Sequence, residues 1–125
     1  MSNALLEKFS IKITFQSLEA TGEFVRILSP RTIESLVKVL PFSSSTFLWQ
    51  DEVYFETPVS VGPERPKANV RTGDIAYWPP GKAFCIFFGK TQPYSPVNII
   101  GKVTSDWTAL KKVKRGEFVK VSLAD

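Results

Sequence analysis

Histidine is absent from the 125-residue sequence. Its absence excludes imidazole acid–base catalysis, the Ser-His-Asp and Cys-His nucleophile pairs, and histidine-ligated metal sites. Cys85 is the only cysteine, so an internal disulfide and a cysteine-rich zinc site are excluded as well. The twelve acidic residues show no calcium-binding spacing, and there is no glycine-rich phosphate loop. We therefore expect neither a metal nor any other cofactor.

Long apolar runs are also missing. No stretch of about 18 apolar residues is present that would span a membrane, and residues 1–4 lack the basic and apolar segments of a signal peptide. Since a single cysteine fits a reducing compartment, we expect a cytoplasmic protein that does not contact a membrane. The hydrophobic content of 43% and the aromatic content of 13% exclude a disordered chain. The length fits one domain that spans residues 1–125.

Basic residues exceed acidic ones only slightly, and the excess is local. The net charge is +4, and five basic residues against two acidic ones lie within residues 111–125. A nucleic-acid-binding protein would be expected to spread cationic side chains over a face and to interleave aromatic ones. We interpret the cluster as a solvated turn, with a phosphate contact as the alternative, and we expect no nucleic-acid partner.

Alternation of apolar and polar residues predicts that much of the chain forms short strands. Residues 9–15 alternate in the way that is typical of a half-buried strand, and a turn near residues 20–22 leads into a second strand, residues 24–28. The unbroken apolar run 83–88 predicts a strand buried on both faces, and the proline-rich segment 57–69 predicts a loop. Further strands are predicted at residues 47–49, 53–55, 75–78, 97–103 and 118–123.

Helical patterns are few. The clearest helix is predicted to begin at Pro30, with Ser29 as its N-terminal cap, and to end before Pro41. Ser105 or Asp106 is predicted to cap a second, short helix. Closely spaced strands without helices between them predict a mainly antiparallel sheet that is closed or sandwiched.

The order of these elements and several local motifs resemble the cyclophilins. Residues 22–36 are similar to the family's opening, a strand that carries a glycine followed by a helix that begins at proline. Residues 97–103 are similar to its strand His-Val-Val-Phe-Gly-Lys-Val. Residues 73–81, Gly-Asp-Ile-Ala-Tyr-Trp-Pro-Pro-Gly, and residues 84–89 resemble a smaller prokaryotic branch, the cyclophilin-like proteins, known chiefly as a fold without a settled activity. The resemblance implies a mainly β fold, a closed antiparallel β-barrel of about eight strands with one or two short helices.

The same resemblance implies that the usual isomerase residues are missing. Rotation about a prolyl peptide bond faces a barrier of about 18–20 kcal/mol. Cyclophilins lower it with an arginine that donates a hydrogen bond to the prolyl nitrogen, while an apolar pocket holds the ring. By the family's pattern Trp49 stands in the place of that arginine, and Val97 stands in the place of a histidine. Only the pocket phenylalanine has a counterpart, Phe84 or Phe88.

Aromatic and amide side chains are the remaining candidates for a site, because aromatic pockets with a few polar groups commonly bind small molecules. We predict ligand-binding residues from the following set: Trp49, Tyr54, Tyr77, Trp78, Phe84, Phe88, Gln50, Asn98 and Arg71. The alternative for the rings is packing inside the barrel. For Asn98, which lies within an apolar strand, burial would require hydrogen-bond partners. Cys85, among apolar neighbours, is expected to be an inert part of the core.

Three functions stay open at this point. The first is a binding module that takes a small apolar ligand or a peptide segment in an aromatic-lined groove. The second is a peptidyl-prolyl isomerase that uses Arg71, Gln50 or a backbone N–H as its donor. The third is a subunit or regulatory domain of a larger enzyme, because small barrels of this type also occur inside larger hydrolase assemblies. No catalytic residue is assigned, and the oligomeric state is left open.

Overall fold

The computed structural model describes residues 7–124, which form nine β-strands, one α-helix and three short 3-10 helices. The strands are β1 Lys8–Phe15, β2 Glu19–Val25, β3 Phe42–Ser45, β4 Phe47–Trp49, β5 Glu52–Glu56, β6 Asp74–Trp78, β7 Ala83–Phe87, β8 Asn98–Val103 and β9 Phe118–Leu123. The α-helix, α1, spans Pro30–Val39, and the 3-10 helices span Arg26–Leu28, Pro79–Gly81 and Trp107–Lys112. No helix within this described part is long and apolar enough to cross a membrane.

All nine strands belong to one antiparallel sheet, in the order β3-β9-β1-β2-β8-β6-β7-β5-β4. The two ends of the sheet, β3 and β4, are consecutive in the chain and are separated by Thr46 alone. One segment therefore pairs with β9 through its first half and with β5 through its second half. This double pairing nearly closes the sheet into a barrel, which confirms the predicted mainly β, antiparallel barrel fold.

Thr46 satisfies the backbone where the segment changes partner. Its side chain is buried, and its backbone N–H donates to the carbonyl of Glu117 at 2.9 Å. Its hydroxyl donates to the carbonyl of Lys114 at 2.9 Å, and Gly116 N–H donates to the Thr46 carbonyl at 2.9 Å. An unpaired buried polar group costs about 1–3 kcal/mol. These hydrogen bonds avoid that cost at the point where the segment changes its strand partner.

Alternate residues of the central strands face opposite sides of the sheet, as the strand period requires. The barrel interior holds Phe24, Phe55 and Phe84, and the rings of Phe55 and Phe84 stack with their centroids 4.9 Å apart. A second buried cluster lies on the outer face, where it includes Cys85 and Phe87. All five residues of β7 are buried, which confirms that this strand is covered on both faces.

The expected turn near residues 20–22 is wrong, because these residues lie inside β2 and pair with β1. The glycine that indicated a turn serves a close approach between strands instead. A Cβ on Gly22 would lie 2.9 Å from the carbonyl oxygen of Lys102 on β8, and a Cβ on Gly101 would lie 1.8 Å from the carbonyl oxygen of Glu23. One glycine on each strand therefore lets β2 and β8 pack together.

The hydroxyl of Ser29 does not cap α1, although the helix begins at Pro30 as predicted. Ser29 donates instead to the carbonyl of Ile99 at 2.8 Å. The Glu64 carboxylate, from the long loop, accepts from the backbone N–H groups of Arg31 and Thr32 at 3.0 and 2.9 Å. The Thr32 hydroxyl donates a third hydrogen bond to this carboxylate. Burial raises the pKa of Glu64, but the three hydrogen bonds and the charge of Arg31 outweigh burial and lower the pKa below its usual value. The loop thus supplies the helix cap.

The close approach of β2 and β8 gives a first test. We expect Gly101→Ala to lower the free energy of unfolding by about 2–3 kcal/mol or to prevent folding, because its methyl group would collide with backbone rather than with a movable side chain. Thermal unfolding followed by circular dichroism measures the change. Gly62→Ala is the matched control, since a Cβ there meets nothing within 4 Å. Equal melting temperatures for the two variants would contradict this account.

Candidate ligand-binding site

A cavity of about 210 Å³ opens on the outer face of the barrel beside β4 and β5. Its volume corresponds to about seven waters at liquid density, which suits a small molecule or a single side chain. The lining is mainly aromatic and contains one carboxyl group. It consists of Trp49, Glu52, Tyr54, Trp78, Pro93, Tyr94 and Val97.

The strand period of β5 places Glu52 and Tyr54 in the cavity. Val53 and Phe55 belong to the interior cluster, so the residues between them face outward. β5 pairs with β7 in a register that sets Tyr54 opposite Cys85. The turn into β5 adds Trp49 from the end of β4, and Glu52 pairs with it directly.

The loop of residues 89–97 forms the opposite wall and is held by side-chain hydrogen bonds. Asp51 N–H, in the β4–β5 turn, donates to the Thr91 hydroxyl at 2.8 Å. The Gln92 amide accepts from Val70 N–H at 2.8 Å and donates to the Val70 carbonyl at 3.2 Å. Gln92 therefore joins two loops, and these hydrogen bonds hold the wall that carries Tyr94.

Trp78 is fixed by its own hydrogen bond. Its indole Nε1–H donates to the Ser95 hydroxyl at 2.7 Å, so this donor is already used within the protein. The ring of Tyr94 meets Trp78 edge to face, with centroids 6.4 Å apart and an interplanar angle of 88°. Tyr54 stacks on Phe47 at 5.6 Å. Tyr94 is 83% exposed and stands at the rim.

Among residues 7–124, Glu52 is the only charged group that lines the cavity. Its side chain is 6% exposed, and no salt bridge to it is formed within residues 7–124. Burial raises the pKa of Glu52 to about 7, and a hydrogen bond with the Cys85 thiol lowers it by a smaller amount. Burial and the nearby Glu52 also raise the pKa of the Cys85 thiol, so Cys85 stays neutral, as expected for an inert thiol.

A second hollow is larger but has no charged group in its lining among the described residues. It has a volume of about 600 Å³ and is lined by loop residues that include Pro63, Pro66, Pro79, Pro80 and Pro96. The smaller cavity is the better candidate for a specific site, because it combines convergent rings with a buried carboxyl group.

Comparison with known proteins gives the same fold. The family model for cyclophilin-like proteins matches residues 9–122. The chain belongs to the cyclophilin-like family. A hypothetical protein from Archaeoglobus fulgidus, AF2241, has a solution structure that matches with a TM-score of 0.83 and 38% sequence identity, over 99% of this chain and 100% of that one. A comparison with curated proteins returned no significant match.

The structure of McbB in complex with tryptophan also resembles this cyclophilin-like chain. The TM-score is 0.75 at 16% identity, and the match covers 90% of this chain but 44% of that one. At this identity the likeness shows the fold alone.

Three of the nine predicted ligand-binding residues, Trp49, Tyr54 and Trp78, line the cavity of this cyclophilin-like barrel. Phe84 and Phe88 lie in the interior cluster and do not reach the cavity. These two rings therefore pack in the barrel interior, which was the alternative to a ligand-binding role.

Tyr77 is likewise part of the interior. Its ring is fully buried, and its hydroxyl donates to the Val59 carbonyl at 2.7 Å and accepts from Val61 N–H at 3.3 Å. Gln50 lies exposed in the β4–β5 turn with a φ of 53°, and Arg71 lies exposed in the turn before β6. Neither lines the cavity.

Asn98 has a structural role. It is fully buried, and its Oδ1 accepts from Glu64 N–H at 2.8 Å. Its Nδ2 donates to the Thr32 hydroxyl and to the Gly62 carbonyl, both at 3.1 Å. Asn98 thus ties the long loop to α1, and it does not line the cavity.

Four cavity residues were not predicted as ligand-binding residues: Glu52, Pro93, Tyr94 and Val97. Glu52 was assigned to the turn before the predicted strand 53–55, whereas β5 begins at Glu52 and so places it on the same face as Tyr54. Tyr94 carried no usable signal, since it lies in a loop without side-chain periodicity.

The buried carboxyl group predicts a pH-dependent stability. Glu52 with a raised folded pKa stabilises the fold below about pH 4.5, and this contribution is lost as the pH rises through about 7. We therefore expect Glu52→Gln to raise the free energy of unfolding by about 1–3 kcal/mol at pH 9 and to change it little at pH 4. The expected gain at pH 9 is smaller than ~1.4 kcal/mol per unit of pKa shift, because the cavity admits solvent.

Melting temperatures of both proteins between pH 4 and pH 9 measure this difference. Glu56→Gln is the matched control, because Glu56 is exposed on the same strand and faces the same side. A difference between Glu52→Gln and the unsubstituted protein that does not change with pH would refute the burial of Glu52 without a salt bridge from residues 7–124.

Proposed function

We propose that this cyclophilin-like protein is a binding module that takes a small ligand in the aromatic cavity on its outer face. The single observation that carries the proposal is the convergence of Trp49, Tyr54, Trp78 and Tyr94 around a space of about 210 Å³. Rings of this kind bury a large apolar area with little loss of side-chain entropy. The rigid placement of Trp78 and of the facing loop also supports binding, because little ordering is needed on association.

Prolyl isomerisation with a non-standard donor has less support. Such a donor would have to reach the prolyl nitrogen of a bound peptide, and no arginine or lysine lines the cavity. Arg71 lies in a separate turn, and the N–H of Trp78 already donates to Ser95. The third function, a subunit of a larger enzyme, has no specific observation in its favour.

Binding is tested with indole, a neutral ring that fits the size of the cavity. We expect a dissociation constant of roughly millimolar or tighter, from about 0.5 kcal/mol per non-hydrogen atom. The indole N–H signals of the 15N-labelled protein report the contact: those of Trp49 and Trp78 should shift, whereas that of Trp107, which does not line the cavity, should not. Tyr54→Ala should weaken binding at least five-fold.

Phe118→Ala is the control for that measurement, because Phe118 is exposed on β9 and does not line the cavity. Equal shifts of all three tryptophan signals, or binding that Tyr54→Ala leaves unchanged, would rule out this cavity as the site.

The isomerase alternative predicts a different result in a coupled assay on a proline-containing peptide. We expect the rate with the protein to equal the uncatalysed rate, because none of the described residues that line the cavity is a cationic donor. Acceleration of more than ten-fold that disappears in the Tyr54→Ala variant would instead establish the isomerase function.

A further inference from the structure

The charge of the cavity constrains its ligand more sharply than its shape does. Glu52 is 6% exposed and lines the cavity, and within residues 7–124 no lysine or arginine forms a salt bridge with it. A carboxylate in such a place is stabilised by an opposite charge close by. Residues 7–124 do not supply that charge in the cavity, whereas a cationic ligand would.

The surrounding rings favour the same charge. The faces of tryptophan and tyrosine rings carry negative electrostatic potential and attract cations within about 6 Å of the ring centre. Trp78 lines the cavity with its N–H already bonded to Ser95, which leaves the π system of the ring for a ligand. Trp49, Tyr54 and Tyr94 complete the aromatic lining around the carboxyl group.

We propose that the cavity binds the alkylammonium group of an organic cation, with the charge held between the Glu52 carboxylate and the aromatic rings. This inference rests on the proposed binding function and adds the charge class of the ligand. A quaternary or primary ammonium group on a short apolar stem matches a space of about 210 Å³.

Other charged ligands fit less well. A metal ion requires several oxygen, nitrogen or sulfur ligands, and no cluster of three or more His, Cys, Asp or Glu side chains occurs in the part of the chain that the structure covers. An anion would face the carboxylate of Glu52 without a compensating lysine or arginine in the lining. An alkylammonium ion needs only one carboxylate and ring faces, which are the groups present.

Binding of a cation is coupled to the ionisation of Glu52. The other titratable groups at this place are Tyr54 on the same strand, Tyr94 on the facing loop and Cys85 on β7. Since burial raises the pKa of Glu52 to about 7, the carboxyl group is mostly neutral at pH 6 and mostly ionised at pH 8. The affinity for a cation should therefore rise by up to about ten-fold between these pH values.

The test compares choline with 3,3-dimethylbutan-1-ol, a neutral molecule of the same shape. Dissociation constants come from the shifts of the Trp49 and Trp78 indole N–H signals in the full chain. We expect choline to bind at least ten-fold more tightly than the alcohol at pH 8, and the preference to shrink at pH 6. Glu52→Gln should remove most of the preference without weakening the binding of the alcohol.

Glu56→Gln controls for the loss of a negative charge elsewhere on the same strand, and its preference for choline should be unchanged. Equal binding of choline and the alcohol, or a preference that survives Glu52→Gln, would overturn the ammonium inference while the binding function stands. Absence of binding by choline, the alcohol and indole would overturn both.

An ammonium group can come from a free amine or from a lysine side chain of another protein. A short peptide that contains trimethyllysine separates these sources, because it carries the same head group as choline on a peptide backbone. Binding at least five-fold tighter than choline supports a peptide source, and weaker binding supports a free amine. The control is the same peptide with alanine in place of trimethyllysine, and it should not bind.

Discussion

The candidate site depends on the alternation of side chains along β5. Val53 and Phe55 must enter the barrel interior, because the stacked phenylalanines there form the core. The two-residue period then places Glu52 and Tyr54 on the outer face. β5 keeps this orientation because the segment through Thr46 joins both ends of the sheet. The packing of the core thus places the Glu52 carboxyl group among aromatic rings. The loop of residues 89–97 covers that surface and completes the cavity.

Much of the fold could be predicted from the sequence, because short alternating strands and a helix beginning at Pro30 leave local patterns. What could not be predicted depends on partners far away in the chain. β3 is polar over residues 43–45 and becomes a strand because β9 pairs with it. Gly22 resembles a turn residue, and only the approach of β8 explains it. The cap of α1 comes from Glu64, more than thirty residues beyond the helix start.

The site was predicted in part for a similar reason. Composition indicates an aromatic site, but it does not separate rings in the core from rings in a cavity. Phe84 and Tyr77 face the interior, whereas Tyr54 and Trp78 face outward, and the register of the barrel decides between them. The contribution of the 89–97 loop depends on hydrogen bonds between distant loops, which no local pattern encodes. The polar residue that matters most in the cavity, Glu52, is inconspicuous in the sequence because it follows a hairpin turn.

The ionisation of Glu52 tests the central claim most directly. The carboxyl carbon of this side chain, followed by 13C NMR across pH in the folded protein, gives its pKa without a ligand or a substitution. The account predicts a midpoint near pH 7, and a lower midpoint when choline is added, because a bound cation favours the carboxylate. A midpoint near 4.5 that choline does not move would contradict it, since Glu52 would then be an ordinary solvated carboxylate that the bound cation does not contact.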